Sequence, residues 1–300
     1  MPSSPQSTAS PPHGFWPGRR VLVAGGTHGF GRVLARLLVA RGAHVMLVGR
    51  SSAGVREAIA TCEQTEGKGT VNGLAADLSR PGEGDRAVAA CADQLGGLDT
   101  LIFCIGRSSR TAILNVAASE LRDTIETNLM TAVEVSQAAA DSICQAGGRL
   151  VYIGSLAGKF VTPAMGGYAV GKAALAAFVD AIRLEVEPRG ARVLLVSPGP
   201  IRQDDDNAVA TSQAGFHRYD ADVARHDLPT HLAQPGGGAA IRLLDPEHLA
   251  SEVLDACERG VPELTRPWKA TLLAGLIEWF PRWGRQVLAR FAGRAKKPRN

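Results

Sequence analysis

Ser155, Tyr168 and Lys172 stand at a spacing that could move a proton. Tyr168 and Lys172 are four positions apart, so a helix that opens near Tyr168 puts both side chains on one face, one turn apart. An unperturbed tyrosine titrates near about pH 10 and is a poor base at neutrality. An adjacent ammonium favours the phenolate, and a phenol shifted toward neutrality is a usable general acid or base. Ser155, 13 positions before Tyr168, adds a hydroxyl able to hydrogen-bond the same substrate oxygen. A surface Tyr and Lys that merely share a helix is the plain rival reading. The three residues by themselves do not separate the two.

The elements around them do. The apolar run Arg20–Ala24 leads into Gly25-Gly26-Thr27-His28-Gly29-Phe30-Gly31, and a helical pattern through Val33, Leu34, Leu37 and Leu38 closes at Gly42. Strand, glycine-rich turn and helix form the context in which a dinucleotide is bound. Glycines allow a tight turn and close backbone approach, and the helix N-terminus presents free N–H groups to a pyrophosphate. A second strand, His44–Val48, ends in Gly49-Arg50-Ser51. An acid at that place bonds a ribose 2′-hydroxyl, whereas a cation suits a 2′-phosphate. Arg50 and Ser51 supply a cation and a hydroxyl, so the reading favours NADP(H).

Strands and helices alternate through the rest of this region. Strand Thr70–Ala75 precedes Asp77-Leu78, and a helix over Asp85–Leu95 precedes strand Thr100–Ile105 and Gly106. A helix over about residues 118–145 carries Asn128, strand Arg149–Ile153 runs into Ser155, and the Tyr168 helix leads to strand Arg192–Ser197 and Pro198-Gly199-Pro200. Such alternation predicts an α/β fold with a doubly wound parallel sheet, whose ligands sit at the carboxyl ends of the strands. The glycine turn, Arg50, Asp77, Gly106, Ser155 and Pro198 all follow such ends.

Gly25-x-x-x-Gly29-x-Gly31, Asp77-Leu78, Asn128, Ser155, Tyr168-x-x-x-Lys172 and Pro198-Gly199 resemble, in order and spacing, the short-chain dehydrogenase/reductases. The resemblance spans about residues 19–202. Within the family, His44–Ser51 looks like the NADP-using hydroxysteroid dehydrogenases and 3-ketodihydrosphingosine reductases. It implies a Rossmann fold and a catalytic tetrad of Asn128, Ser155, Tyr168 and Lys172. It also implies cofactor contacts from Gly25, Thr27, His28, Gly29, Phe30, Gly31, Arg50, Ser51, Asp77, Leu78, Gly106, Tyr168, Lys172, Pro198, Gly199 and Ile201. In the implied reaction NADPH delivers hydride to a carbonyl carbon while Tyr168 protonates the oxygen, and alcohol oxidation is the reverse. Lys172 would lower the Tyr168 pKa and bind the nicotinamide ribose. Ser155 would hold the substrate oxygen, and Asn128 would support a water leading from Lys172 to solvent. Two departures stand out. Phe103-Cys104-Ile105-Gly106 replaces the usual Asn-Asn-Ala-Gly, so apolar packing must replace the bracing by asparagines. Gln203 stands where many members have a threonine on the nicotinamide amide.

Length and composition agree with one large domain. The chain has 300 residues, 45% hydrophobic and 21% charged, as in an ordinary globular protein with an ample core. Five scattered cysteines (Cys62, Cys91, Cys104, Cys144, Cys257) suggest reduced thiols in a cytoplasmic setting, with no disulfide framework or zinc spacing. Residues 1–18, rich in Ser and Pro, read as a disordered leader without a signal-peptide core. Residues 266–300 hold nine basic side chains against Glu278, a charge of +8 within a total of +4, so the preceding residues carry −4. A mildly acidic body argues against nucleic-acid binding.

Residues 203–240 differ in texture, with Asp204-Asp205-Asp206, His217, His226, His231 and Gly236-Gly237-Gly238. They read as a substrate loop or lid, and their spacings match no metal site. Asp245 and Pro246 then open a helix as N-cap and N1, with Leu249, Val253, Leu254 and Cys257 on its apolar face. The SDR body is placed at 19–265, and 266–300 forms a helical extension of two amphipathic helices broken at Pro281. That basic extension suits either a peripheral membrane contact or packing on the body or a second subunit. The resemblance implies a homodimer or homotetramer and a small-molecule carbonyl or alcohol substrate, of an apolar, lipid or steroid-like kind. The rival function is a catalytically idle NADP-binding redox sensor or membrane scaffold.

Overall fold

Strand after strand carries apolar side chains to both faces of one sheet, the pattern of a sheet covered by helices on both sides. The computed structural model describes residues 14–202, 219–229, 232 and 242–292. Its strands are β1 (Arg20–Ala24), β2 (His44–Gly49), β3 (Thr70–Ala75), β4 (Thr100–Phe103), β5 (Arg149–Ile153), β6 (Arg192–Pro198) and β7 (Glu263–Arg266). All neighbours pair parallel, in the order β3-β2-β1-β4-β5-β6-β7. The doubly wound α/β sheet expected from the alternation is therefore present. Strand order reverses between β1 and β4, which opens the ligand crevice at their carboxyl ends.

The helices are α1 (Gly29–Ala40), α2 (Ser52–Glu63), α3 (Glu83–Leu95), α4 (Ala118–Ile125), α5 (Thr131–Gln145), α6 (Gly166–Val186), α7 (Asp220–Arg225), α8 (Pro246–Glu258), α9 (Lys269–Trp279) and α10 (Pro281–Ala292). Period two along each strand divides the core. Val21 and Val23 pack with Leu34 and Leu38 of α1, Val55 and Ala58 of α2, and Leu249 and Val253 of α8. Leu22 and Ala24 face Ala87 of α3, Val135 and Ala139 of α5, and Leu175 and Val179 of α6. Asp245 caps α8 as read from sequence, its carboxylate accepting from the His248 N–H at 2.9 Å.

Four details differ from the sequence reading. The disorder expected over 1–18 does not hold at residues 14–18, because Trp16 is buried in the core and Phe15 stacks edge-on against it under the Arg19 guanidinium, and residues 1–13 lie outside the described residues. Strand β4 stops at Phe103, two residues before Ile105. The helix expected over 118–145 is interrupted by a π-turn, Glu126–Met130, at Asn128. Strand β7 was not singled out, since Glu263-Leu-Thr-Arg has one apolar residue and relies on pairing with β6.

The β1–α1 turn shows why glycine is required there. Gly25 adopts φ +83°, and a Cβ on Gly31 would collide with the Gly25 carbonyl oxygen. Gly31→Ala is expected to lower stability by about 1–3 kcal/mol through overpacking, read as a fall in Tm, with weakened cofactor binding. An unchanged Tm would refute the tight packing of α1 on this turn.

Candidate active site

At the end of β1, the Gly25 and Gly26 N–H groups donate to the Val48 carbonyl at 2.9 and 3.2 Å, which fastens the turn to β2. A Cβ on Gly25 would lie 3.0 Å from the Ile105 side chain, so the turn runs against the exit of β4. His28 precedes α1 in extended conformation, with no side-chain cap among the described residues. The first-turn N–H groups of α1 and its positive dipole end therefore suit an anion. Thr27 is buried against Gly49, Phe30 packs on the core, and Gly29 takes φ +50°.

The corner beyond β2 gathers polar groups. Arg50 is exposed. Ser51 caps α2, its hydroxyl oxygen accepting from the Gly54 N–H at 3.3 Å. The His28 ring lies over Gly54, where a Cβ would stand 2.8 Å from Cε1, and its Nδ1 is 2.9 Å from the Thr27 hydroxyl. Beyond the neighbouring strand β3 the Ser79 hydroxyl donates to Asp77 at 2.7 Å. That bond foremost, with Arg50 and Arg80 assisting, holds the Asp77 carboxyl below its ordinary range. Leu78 is buried in the core, a packing position.

Tyr168 and Lys172 both lie on α6, half-buried and buried respectively. The Lys172 ammonium donates to the Ile153 carbonyl at 3.0 Å and reaches the Ile105 carbonyl at 3.5 Å, so the ends of β5 and β4 hold it. Burial pushes its pKa down to about 8, with nearby Cys104 acting weakly in the other direction. Gly106 lies against it: a Cβ there would stand 2.8 Å from Lys172 Nζ and 3.1 Å from Asn128 Oδ1. Both polar atoms thus converge on one backbone point. Asn128 is fully buried in the π-turn, and its amide donates to the Thr124 and Arg107 carbonyls at 3.0 and 3.2 Å. Its Oδ1 is buried and has no partner among the described residues. Backbone carbonyls thus account for its amide nitrogen and leave its oxygen aimed at the site.

Ser155 opens the 3₁₀ turn Leu156–Gly158, its hydroxyl oxygen accepting from the Ala157 N–H at 3.1 Å. That turn packs on α6 at Lys172, since a Cβ on Gly158 would lie 2.8 Å from the Lys172 carbonyl oxygen. Pro198 ends β6, Gly199 donates to the Arg266 carbonyl at 2.7 Å, and Ile201 bridges to Leu244. Glycine turn, Arg50, Asp77, Gly106, Asn128, Ser155, Tyr168, Lys172 and Gly199 therefore gather at the carboxyl end of the sheet. The expected replacement of asparagine bracing also holds: Phe103 is fully buried, its ring 6.3 Å from that of Tyr152. Gln203, Asp204–Asp206, His217 and His231 lie outside the described residues.

One feature escaped sequence reasoning. The Arg110 guanidinium is buried 3.7 Å above the Tyr219 ring, its Nε donates to the Leu232 carbonyl at 3.0 Å, and its backbone N–H donates to Asp222 at 3.0 Å. The Ser108 and Tyr219 hydroxyls bond at 2.5 Å. These contacts clamp the α7 segment onto the loop after β4. No motif announces them, because the partners are more than 100 residues apart.

The profile of the short chain dehydrogenase family matches residues 19–214. Dehydrogenase/reductase SDR family member 7B of Danio rerio is 32% identical over 220 residues, 71% of each chain. The 3-oxoacyl-[acyl-carrier-protein] reductase FabG of Vibrio cholerae is 30% identical over 237 residues, 79% of this chain and 88% of that protein. Carbonyl reductase family member 4 of Danio rerio is 28% identical over 79% of this chain and 95% of its own. A short-chain type dehydrogenase/reductase from Mycobacterium ulcerans superposes with TM-score 0.70 and 25% identity, covering 90% of this chain and 97% of that one.

Proposed function

The chain belongs to the short-chain dehydrogenase/reductase family and is an oxidoreductase; from that premise we propose an NADP(H)-dependent enzyme that interconverts a carbonyl and a secondary alcohol. The carrying observation is Lys172, buried one turn after Tyr168 with its ammonium beside Gly106 and the unpartnered Asn128 Oδ1. The glycine cradle, the open N-terminus of α1 and the cation at Arg50 fit a dinucleotide with a 2′-phosphate. When bound, that cofactor supplies the hydride.

This chain's residues do the rest. Ser155 accepts from Ala157 and keeps its own O–H for the substrate oxygen. Tyr168 gives the proton to that oxygen in reduction and takes it back in oxidation. Lys172, a cation in low dielectric, favours the phenolate left behind. Asn128 Oδ1 offers an acceptor for a water beside Lys172, a path by which Tyr168 regains its proton. Residues 19–265 form the catalytic body. The names of the related carbonyl and 3-oxoacyl-[acyl-carrier-protein] reductases support the reductive direction.

Turnover of a ketone panel with NADPH and NADH side by side tests this reading. NADPH should be preferred. Arg50→Ala should cut kcat/KM for NADPH about tenfold to a hundredfold, the worth of a hydrogen bond to a charged group, while NADH use stays level. Equal use of both cofactors, unaltered by Arg50→Ala, would refute the 2′-phosphate assignment.

A further inference from the structure

Helices α9 and α10 fold into a hairpin broken at Pro281. They cross at Gly284, where a Cβ would stand 2.6 Å from Ile277 Cα, a contact open to glycine. Beyond this crossing, α9 packs on β7 at its start, where Ala270 is buried. Its outer face is uncovered by the described residues. Trp268, Leu272, Gly275 and Trp279 recur at intervals of four, three and four, which is one stripe of a helix. A Cβ on Gly275 meets nothing within 4 Å, Trp268 and Leu272 are largely exposed, and Trp279 is 82% exposed. Phe280 and Trp283 add exposed rings at the hairpin's bend.

Charge decides what such a surface fits. Lys269, Arg282, Arg285 and Arg290 are exposed around it, and residues 266–300 carry +8 on a chain whose remainder carries −4. A symmetric contact between two copies would set two +8 segments against each other. Tryptophans beside cations on an amphipathic helix suit the headgroup layer of a bilayer, and anionic lipid complements the charge. Among the described residues no helix is long and apolar enough to cross a membrane. We propose that the α9–α10 hairpin docks this protein on the surface of an anionic phospholipid bilayer, with its aromatic stripe in the headgroup layer. The hairpin leaves the sheet beside Gly199, where Arg266 and Pro267 lie 3.5 Å from the Cβ position. Docking therefore keeps the carboxyl end of the sheet, where the proposed function places the substrate, next to lipid.

Flotation of the full chain with phosphatidylcholine vesicles, with and without phosphatidylserine, tests the proposal. The protein should float with phosphatidylserine vesicles, far less without them, and release as salt rises. Replacing Arg282, Arg285 and Arg290 with Gln should lower partitioning on the order of a hundredfold, about fivefold per cation. The triple variant Trp279→Ser, Phe280→Ser, Trp283→Ser should lower it more than about tenfold. All these side chains are exposed, so Tm and turnover of a water-soluble ketone should hold in both variants, which separates docking from catalysis. Absence of flotation with anionic vesicles, or a triple aromatic variant that floats like the parent, overturns the proposal. So does a dimer seen by light scattering that the aromatic variant dissolves while vesicles capture neither protein.

Discussion

Tyr168→Phe should abolish turnover and leave NADPH binding intact. The change removes one oxygen and keeps the ring, so the half-buried side chain still fills its place on α6. Without the phenol, the carbonyl oxygen has no acid from which to take a proton. General acid catalysis contributes about a hundredfold to ten-thousandfold, and kcat should fall by that amount. Binding should persist, because the glycine turn, the N-terminus of α1 and Lys172 are untouched. The checks are steady-state turnover together with NADPH titration by fluorescence. A variant that keeps a tenth of the parent's kcat would remove Tyr168 from proton transfer. A parent chain that binds NADPH yet turns over nothing in a broad carbonyl and alcohol panel would instead support the idle sensor.

Lys172→Met should bring a comparable loss of kcat and a distinct pH signature in stability. In the folded chain burial lowers the Lys172 pKa from 10.5 to about 8. Below pH 8 the lysine is an ammonium both folded and unfolded, and above pH 10.5 it is neutral in both. Between those values the unfolded chain holds the proton and the folded chain does not, so the lysine's contribution rises with pH. It amounts to about 3 kcal/mol across the window. That contribution is fully present above pH 10.5 and is lost as pH falls through 8. Methionine lacks it, so the parent should gain stability relative to Lys172→Met from pH 8 to 10.5. The comparison must be between the two proteins. Burial pushes the thiols of Cys62, Cys91 and Cys257 up to about 11 to 12, and they destabilise both alike as pH climbs past 9. Denaturant unfolding at several pH values measures the difference, and a flat profile would refute the lowered Lys172 pKa. In reduction, kcat/KM of the parent should fall above about pH 8, as the charge that favours the phenolate is lost.

The site's chemistry was legible where it depends on neighbours in the chain. Tyr168 and Lys172 share a face because a helix repeats every 3.6 residues. The β1–α1 turn declares itself through glycines whose missing side chains permit the approach. Strand ends announced themselves by apolar runs stopping at polar or glycine residues. Asn128 illustrates the boundary. Its place in a helical segment could be read, yet the π-turn and the convergence of its Oδ1 with Lys172 on Gly106 depend on packing against α6 and the loop after β4. Ser51 likewise read as a hydroxyl for the cofactor, and the fold adds its use as the cap of α2.

Sequence by itself therefore determined the parallel sheet, the glycine turn, the family and the Tyr168–Lys172 pair, because periodicity and turn chemistry act over a few residues. Tertiary structure alone decided that Lys172 is buried against the Ile153 and Ile105 carbonyls, that Arg110 stacks on Tyr219, and that Trp268, Trp279 and Trp283 stay exposed. Desolvation and exposure depend on atoms brought together from distant parts of the chain. Ser155, Tyr168 and Lys172 were visible as a spacing, but the depressed pKa of Lys172 required the ends of β4 and β5 to close around its ammonium.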